Sequence, residues 1–341
     1  MRYRLFGRSG LRVSQVVLGT MTFGEDWGWG AGPEVCRDLV RAYREAGGNA
    51  VDTASQYTDG ASEQIVGELI ADDRDYFVLS TKYSLTLDGT DANAAGNSRK
   101  SLVRSLEQSL RRLRTDRIDL LWVHIWDPDT PVEETMRALD DVVRAGKVLY
   151  VGISDAPAWV VAHANTLADW RGWSPFIGLH VPYSLVQREV ERELLPMAAA
   201  FGLSVAAWSP LAGGVLSGKF TRSADAGATR VNRTSISERD LAIARTVDAV
   251  ADDLGLPSAQ VALAWVLSRP GVHPILGARR VEQLLELLPA TGLVLPLAAV
   301  KRLDQATAVE LGFPTDFIRS TTDFVYGPVG RQVDSLKGGR W

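Results

Sequence analysis

Eight short apolar runs recur along this chain with helical periods between them, and that alternation constrains the fold more than any other feature of the sequence. The runs fall at 16–18, 50–52, 77–81, 120–123, 148–153, 176–179, 204–207 and 273–276. Several are β-branched and none alternates cleanly with polar residues, the pattern of strands buried on both faces of a parallel sheet. Between them the spacing predicts helices over 33–46, 98–113, 131–145, 156–170 and 189–201. The first opens on Pro33-Glu34 and closes on Gly47-Gly48, with Pro leading in and Gly leading out. Leu102, Leu106, Leu110 and Leu113 mark one face of the second. Pro131, Glu133, Glu134 and Gly146 bracket the third. Ahead of all of these, 3–6 and 11–13 flank the turn-forming Gly7-Arg8-Ser9-Gly10 and predict a hairpin. Eight strands with intervening helices imply an α/β chain of one kind: a single (β/α)₈ barrel domain over 1–341, with an N-terminal β-hairpin and extra C-terminal helices. The stretch 222–237, rich in Ser, Ala, Thr and Arg, reads as a long loop.

A doubly wound sheet is the competing α/β architecture. It wants Gly-x-Gly-x-x-Gly directly after the first strand. The chain has Gly28-Trp29-Gly30-Ala31-Gly32 well beyond that point, so the sequence favours the barrel.

Composition narrows the class of partner. With 37 basic and 41 acidic residues the net charge is −4, which argues against a nucleic-acid surface. The arginines of 99–117 surround an apolar stripe and read as a solvated helix face. Cys36 is the single cysteine, which excludes an intrachain disulfide or a cysteine zinc cluster, and no metal site is expected. Residues 1–7 show no apolar leader, and the apolar run 293–300 contains Pro296 and is too short to span a bilayer. A cytoplasmic protein without a membrane partner is expected, with a homo-oligomer left open.

In a barrel, chemistry gathers at the C-terminal ends of the strands. Asp52 ends the second run, Lys82 the third and His124 the fourth, while Tyr57 follows Asp52 by five residues. Singly these read as a structural ion pair, a packed tyrosine and a satisfied histidine. Together they form an acid–base set. Reducing a carbonyl by hydride leaves an alkoxide that needs a proton. A free tyrosine, with a pKa of about 10, is a weak donor at neutral pH, and an ammonium beside it strengthens the acid by stabilising the phenolate. Asp52 would fix Lys82, and a neutral His124 would orient the substrate oxygen.

These residues sit in motifs that resemble the aldo-keto reductases over nearly the whole chain. The motifs are Leu18-Gly19-Thr20-Met21-Thr22-Phe23-Gly24, Val51-Asp52-Thr53-Ala54 with Tyr57, Ser80-Thr81-Lys82, and Ile118-Asp119-Leu120-Leu121 leading to His124. Later come Val151-Gly152-Ile153-Ser154, Trp208-Ser209-Pro210-Leu211-Ala212-Gly213-Gly214 running to Lys219, and Ile275-Leu276-Gly277-Ala278-Arg279. Asp26-Trp27-Gly28-Trp29-Gly30 and Asp155-Ala156-Pro157-Ala158-Trp159 resemble the aryl-alcohol dehydrogenase branch.

The resemblance implies the tetrad Asp52, Tyr57, Lys82 and His124 and an NADP(H) cofactor. Thr20 and Met21 would lie near the nicotinamide ribose, Ser154 at the carboxamide and Trp208 against the ring. Ser209, Leu211, Gly213 and Lys219 would line the pyrophosphate. Gly277, Arg279 and Gln283 would hold the adenosine end with Arg280 adjacent, and two arginines there suit a 2′-phosphate. Asp155 stands where the family often has Asn, His180 where it usually has Gln, both at the carboxamide, and Leu287 replaces an Asn near the adenine. Trp27, Trp29 and Trp126 on mouth loops imply an apolar or aromatic substrate pocket, Trp29 and Trp126 being its substrate contacts. The expected partner is a small-molecule carbonyl substrate. Two other readings stand beside reduction of aryl carbonyls: a cofactor-binding, redox-sensing subunit without turnover, and a sugar-carbonyl reductase on the same barrel.

Overall fold

A computed structural model describes residues 1–223, 231–327 and 329. After the antiparallel hairpin β1 (Tyr3–Leu5) and β2 (Arg12–Ser14) come β3 (Val17–Gly19), α1 (Pro33–Glu45), β4 (Ala50–Asp52), α2 (Ala61–Ile70) and β5 (Val78–Tyr83). Next are α3 (Arg99–Arg112), β6 (Ile118–Val123), α4 (Val132–Arg144), β7 (Val148–Ser154), α5 (Ala158–Arg171), β8 (Phe176–Pro182), α6 (Leu194–Phe201) and β9 (Ser204–Trp208). The chain continues through α7 (Glu238–Leu254), α8 (Ser258–Leu267), β10 (Val272–Gly277), α9 (Val281–Leu287), α10 (Leu297–Ala306), α11 (Thr315–Ser320) and α12 (Thr322–Tyr326). Strands β3 to β10 close into a parallel barrel, β10 pairing with both β3 and β9.

The expected strands and hairpin are present within three residues of the predicted ends. One helix is not continuous. Over 189–201 the structure has a 3₁₀ turn at Glu189–Glu191 and then α6. Pro196 explains the break: it has no N–H to give to the carbonyl four residues back, and its ring crowds that carbonyl. Helices α2, α7 and α8 are present in addition to the five expected from the spacing. Of the predicted loop 222–237, residues 224–230 lie outside the described residues, Arg233–Ser235 forms a 3₁₀ turn, and Ser237 caps α7 by accepting from the Asp240 N–H at 3.1 Å.

The helices pack their apolar faces on the outside of the barrel. In α1, for example, Cys36, Leu39, Val40 and Tyr43 are buried at helical spacing. A second, smaller cluster fills the barrel itself and includes Phe6, Val17, Leu120, Trp122, Ile177 and Ile275. The hairpin supplies Phe6 as a plug for the N-terminal end, its ring centroid 6.2 Å from that of Trp122. Trp122 fits inside because its neighbours on β7 and β8 are glycines: a Cβ on Gly152 would lie 2.3 Å from the indole, and one on Gly178 2.8 Å from it. The N-terminal end is thus closed, and the C-terminal end is left to form a site. Among the described residues no single helix is long and apolar enough to cross a membrane.

Candidate active site

The C-terminal strand ends surround one cavity of about 890 Å³. Asp52 ends β4, Lys82 lies on β5, His124 follows β6, Ser154 ends β7 and His180 lies on β8. Parallel register sets them side by side: Asp52 opposite Ser80, Lys82 opposite Trp122, and Ser154 opposite His180.

Lys82 is fully buried and each of its three protons has an acceptor: Asp52 Oδ2 at 2.6 Å, the Thr53 carbonyl at 2.7 Å and Tyr57 Oη at 3.0 Å. Burial alone would lower the Lys82 pKa, but Asp52 and Tyr57 outweigh it and hold it above the ordinary lysine value. Burial likewise pushes the Asp52 carboxyl up, and the Lys82 ammonium, with His180 beside it, overcomes this, so that it ends well below the usual carboxylate range. Both members of the pair are therefore ionised. The other Asp52 oxygen accepts from the Ser80 hydroxyl at 2.7 Å, a restraint the sequence reading did not identify.

Tyr57 is presented by a strained loop. Thr58 and Asp59, neither of them glycine, take φ of 45° and 54°, a region that L-residues with a Cβ rarely occupy. The Thr58 hydroxyl holds this turn by donating to the Phe23 carbonyl at 2.7 Å and accepting from the Ser62 N–H at 3.0 Å. Strain held in this way beside reactive groups is a mark of preorganisation.

His124 stands edge-on to Tyr57, with ring centroids 6.1 Å apart. Burial, then the charge of Lys82, pushes its pKa down to about 3, so the ring is neutral at physiological pH. His180 Nδ1 lies 3.0 Å from the Ser154 hydroxyl, and its Nε2 lies 3.6 Å from Asp52 Oδ2. His124 Nδ1 and His180 Nε2 are buried without a hydrogen-bond partner among the described residues, the condition of groups awaiting a ligand.

Toward the other end, β9 and β10 give a cationic and glycine-rich wall. Ser209, Ala212, Gly213 and Gly214 all have positive φ, which turns successive peptide groups into a concave turn suited to an anion. A Cβ on Gly214 would fall 2.5 Å from Lys219 Nζ, so glycine there leaves the ammonium its place. Burial, with Arg279 and Arg280 nearby, lowers the Lys219 pKa. Three cations in one wall suit a ligand with several phosphates. Gln283 orders this edge by accepting from the Arg279 N–H at 3.0 Å.

Most of the residues expected at the site line this cavity: Met21, Trp29, Asp52, Tyr57, His124, Asp155, His180, Trp208, Ser209, Leu211, Gly213, Lys219, Gly277, Arg279, Arg280 and Gln283. Leu287 lines it as well. Four others are placed differently: Lys82 is fully buried behind Asp52 and Tyr57, and three more lie off the lining. Thr20 is fully buried and its hydroxyl lies 3.1 Å from the Asp52 carbonyl, which it donates to, while Ser154 is buried against His180. Trp126 is half-buried against the outer core and is not part of the lining. Gln56, Leu85, Ser217 and Glu286 line the cavity without having been singled out, and as isolated loop or helix residues they carry no motif that marks them.

Comparison with known proteins agrees with this geometry. The aldo/keto reductase family model matches residues 15–308. The chain is 38% identical to norsolorinic acid reductase of Aspergillus flavus, covering 93% of this chain and 84% of that protein. It is 35% identical to the aryl-alcohol dehydrogenase [NADP(+)] of Phanerodontia chrysosporium, covering 89% and 85% respectively. It is 37% identical to an aryl-alcohol dehydrogenase of Pestalotiopsis microspora, covering 93% and 85%. With its barrel, its strand-end polar residues and these matches, the chain belongs to the aldo/keto reductase family of oxidoreductases, where it is similar to aryl-alcohol dehydrogenases and norsolorinic acid reductases.

Proposed function

We propose that this protein reduces aldehydes and ketones, with aryl and other apolar carbonyls preferred, using NADPH. The observation that carries the proposal is the Lys82 ammonium at 3.0 Å from the Tyr57 hydroxyl and 2.6 Å from Asp52, beside a neutral His124.

NADPH, when bound, supplies the hydride to the carbonyl carbon. Tyr57 Oη gives its proton to the oxygen that becomes alkoxide, and the Lys82 ammonium stabilises the phenolate left behind. Asp52 fixes Lys82 and balances its charge, and Ser80 fixes Asp52. The neutral His124 hydrogen-bonds the substrate oxygen and orients it. Lys219, Arg279 and Arg280 would hold the phosphates, the arginines the one that distinguishes NADPH from NADH. Trp208 would cover the nicotinamide, while Ser209, Leu211 and Gly213 would follow the pyrophosphate. Trp27 and Trp29, with ring centroids 5.8 Å apart on the lining, give the substrate end an aromatic wall. Relatives such as the aryl-alcohol dehydrogenase [NADP(+)] of Phanerodontia chrysosporium support the same cofactor and substrate class.

The test is oxidation of NADPH followed at 340 nm with aryl, alkyl and sugar aldehydes. Turnover led by the aryl substrates supports the proposal. Tight NADPH binding with no turnover on any carbonyl overturns it and leaves a cofactor-binding subunit.

A further inference from the structure

The two ends of the cavity carry opposite charge. At the rim between β9 and β10 stand Lys219, Arg279 and Arg280. At the end holding Tyr57 and His124, the charges of Asp52 and Lys82 cancel in a 2.6 Å ion pair. Asp155 remains there. It follows directly on Ser154 at the end of β7, its N–H donates to the His180 carbonyl at 3.3 Å, and it opens onto the cavity. Among the described residues its carboxyl is held by the Ser154 and Trp208 side chains and by no salt bridge, and burial raises its pKa above the ordinary carboxylate value. The third acidic group on the lining, Glu286, belongs to α9 at the cationic end.

The backbone explains only part of this residue. Asp155 has φ of 44°, a conformation that Gly, Asn and Asp enter more readily than other residues. Asn would meet that demand without a charge. A carboxylate there needs another reason, and the charge pattern supplies one: an oxidised nicotinamide nucleotide is cationic at its ring and anionic at its phosphates, the complement of this cavity. The reduced nucleotide has the same phosphates and a neutral ring.

We propose that Asp155 makes the site discriminate between the two states of its cofactor, binding NADP⁺ more tightly relative to NADPH than an uncharged residue would. This rests on the reading that the cofactor is NADP(H). In the reaction carbonyl + NADPH + H⁺ → alcohol + NADP⁺, preferential binding of NADP⁺ pulls the enzyme-bound equilibrium toward alcohol. Asp155 therefore acts as a positioning and electrostatic residue that favours reduction within the site.

The experiment is titration of the full chain with NADP⁺ and with NADPH at pH 8, read by tryptophan fluorescence, for wild type, Asp155→Asn and Asp155→Gly. Both variants accept the left-handed backbone, so the fold is preserved. The expected result is a loss of NADP⁺ affinity on the order of tenfold in each variant, as for removal of a neighbouring opposite charge, with NADPH affinity much less changed. An equal change for both nucleotides, or no change, overturns the proposal, because the carboxylate would then act only as a hydrogen-bond acceptor. Wild-type protein that binds neither nucleotide overturns the cofactor reading itself, an outcome that differs because no affinity ratio can be measured.

Discussion

Lys82 Nζ lies 3.0 Å from Tyr57 Oη and 4.6 Å from the centre of the same ring, so one ammonium acts on both the hydroxyl and the π face of the proposed acid. Tyr57→Phe should keep the ring and remove the proton. A lost general acid costs about 10² to 10⁴ in rate, or roughly 3 to 5 kcal/mol of barrier. Lys82→Met should also depress kcat, and the double variant should be little worse than the more damaging single one, since both residues serve one proton transfer. NADPH affinity should stay close to wild type in Tyr57→Phe. Measured kcat and Kd for the three variants check this. Turnover near wild type in Tyr57→Phe would remove the tyrosine from the mechanism.

Cofactor choice should follow the arginines at the cavity rim. NADPH should bind more tightly than NADH, and Arg279→Ala or Arg280→Ala should narrow the gap. A charge-assisted hydrogen bond contributes about 1.5–3 kcal/mol, so a loss of roughly tenfold or more in NADPH affinity is expected, with NADH little affected. Added salt should weaken NADPH binding more than NADH binding. Equal wild-type affinities for the two nucleotides would sink the assignment.

Trp29 lines the cavity, whereas Trp126 packs on the outer core. Trp29→Ala should raise KM for benzaldehyde-type substrates more than for short aliphatic aldehydes. Trp126→Ala should lower the melting temperature more than it alters either KM. If both substrate classes respond alike to Trp29→Ala, the aryl pocket lies elsewhere.

His273 provides a test of stability away from the chemistry. Its Nδ1 lies 3.1 Å from the Ser14 carbonyl, its ring packs on Phe6, and burial pushes its pKa down to about 4. An unfolded histidine titrates near 6.5. Between those values the unfolded chain takes up a proton that the folded chain refuses, so stability is full above about pH 6.5 and falls as pH drops toward 4. Thermal denaturation from pH 8 to 4 should show this decline, and His273→Gln should lessen it, leaving the part that His124 contributes in the same way. An unchanged slope would assign the acid sensitivity to other groups.

The barrel and the cluster of polar strand-end residues were legible in the sequence because both depend on local signals. Apolar runs of strand length mark the wall, and a polar residue at the end of such a run has only the mouth to face. What stayed hidden depends on tertiary contact. The helix α2 contains Gly67, a poor helix former, whose reason appears only in three dimensions: a Cβ there would lie 2.5 Å from the Leu113 carbonyl oxygen. Nothing in Tyr57-Thr58-Asp59 announces two successive left-handed residues, since threonine is among the residues least suited to that conformation. Ser80 escaped notice because short hydroxyl side chains are common in strands, and only strand register brings it to Asp52, while Thr20, expected at the nicotinamide ribose, turns its hydroxyl to the Asp52 carbonyl instead. Trp126 sits on a mouth loop as expected, yet the loop turns its ring toward the core.

The three occupied protons of Lys82 also bear on how the catalyst is reset. Its ammonium is spent on Asp52, the Thr53 carbonyl and Tyr57, it is sealed from solvent, and the carboxylate beside it holds no proton to lend. On the proposed mechanism, a Tyr57 phenolate left after turnover would face, among these groups, an ammonium whose protons are shared with Asp52 and Thr53 and a carboxylate that holds none. A replacement proton entering by the cavity mouth would then share the passage by which the alcohol departs, and a bulky alcohol that lingers there would delay both.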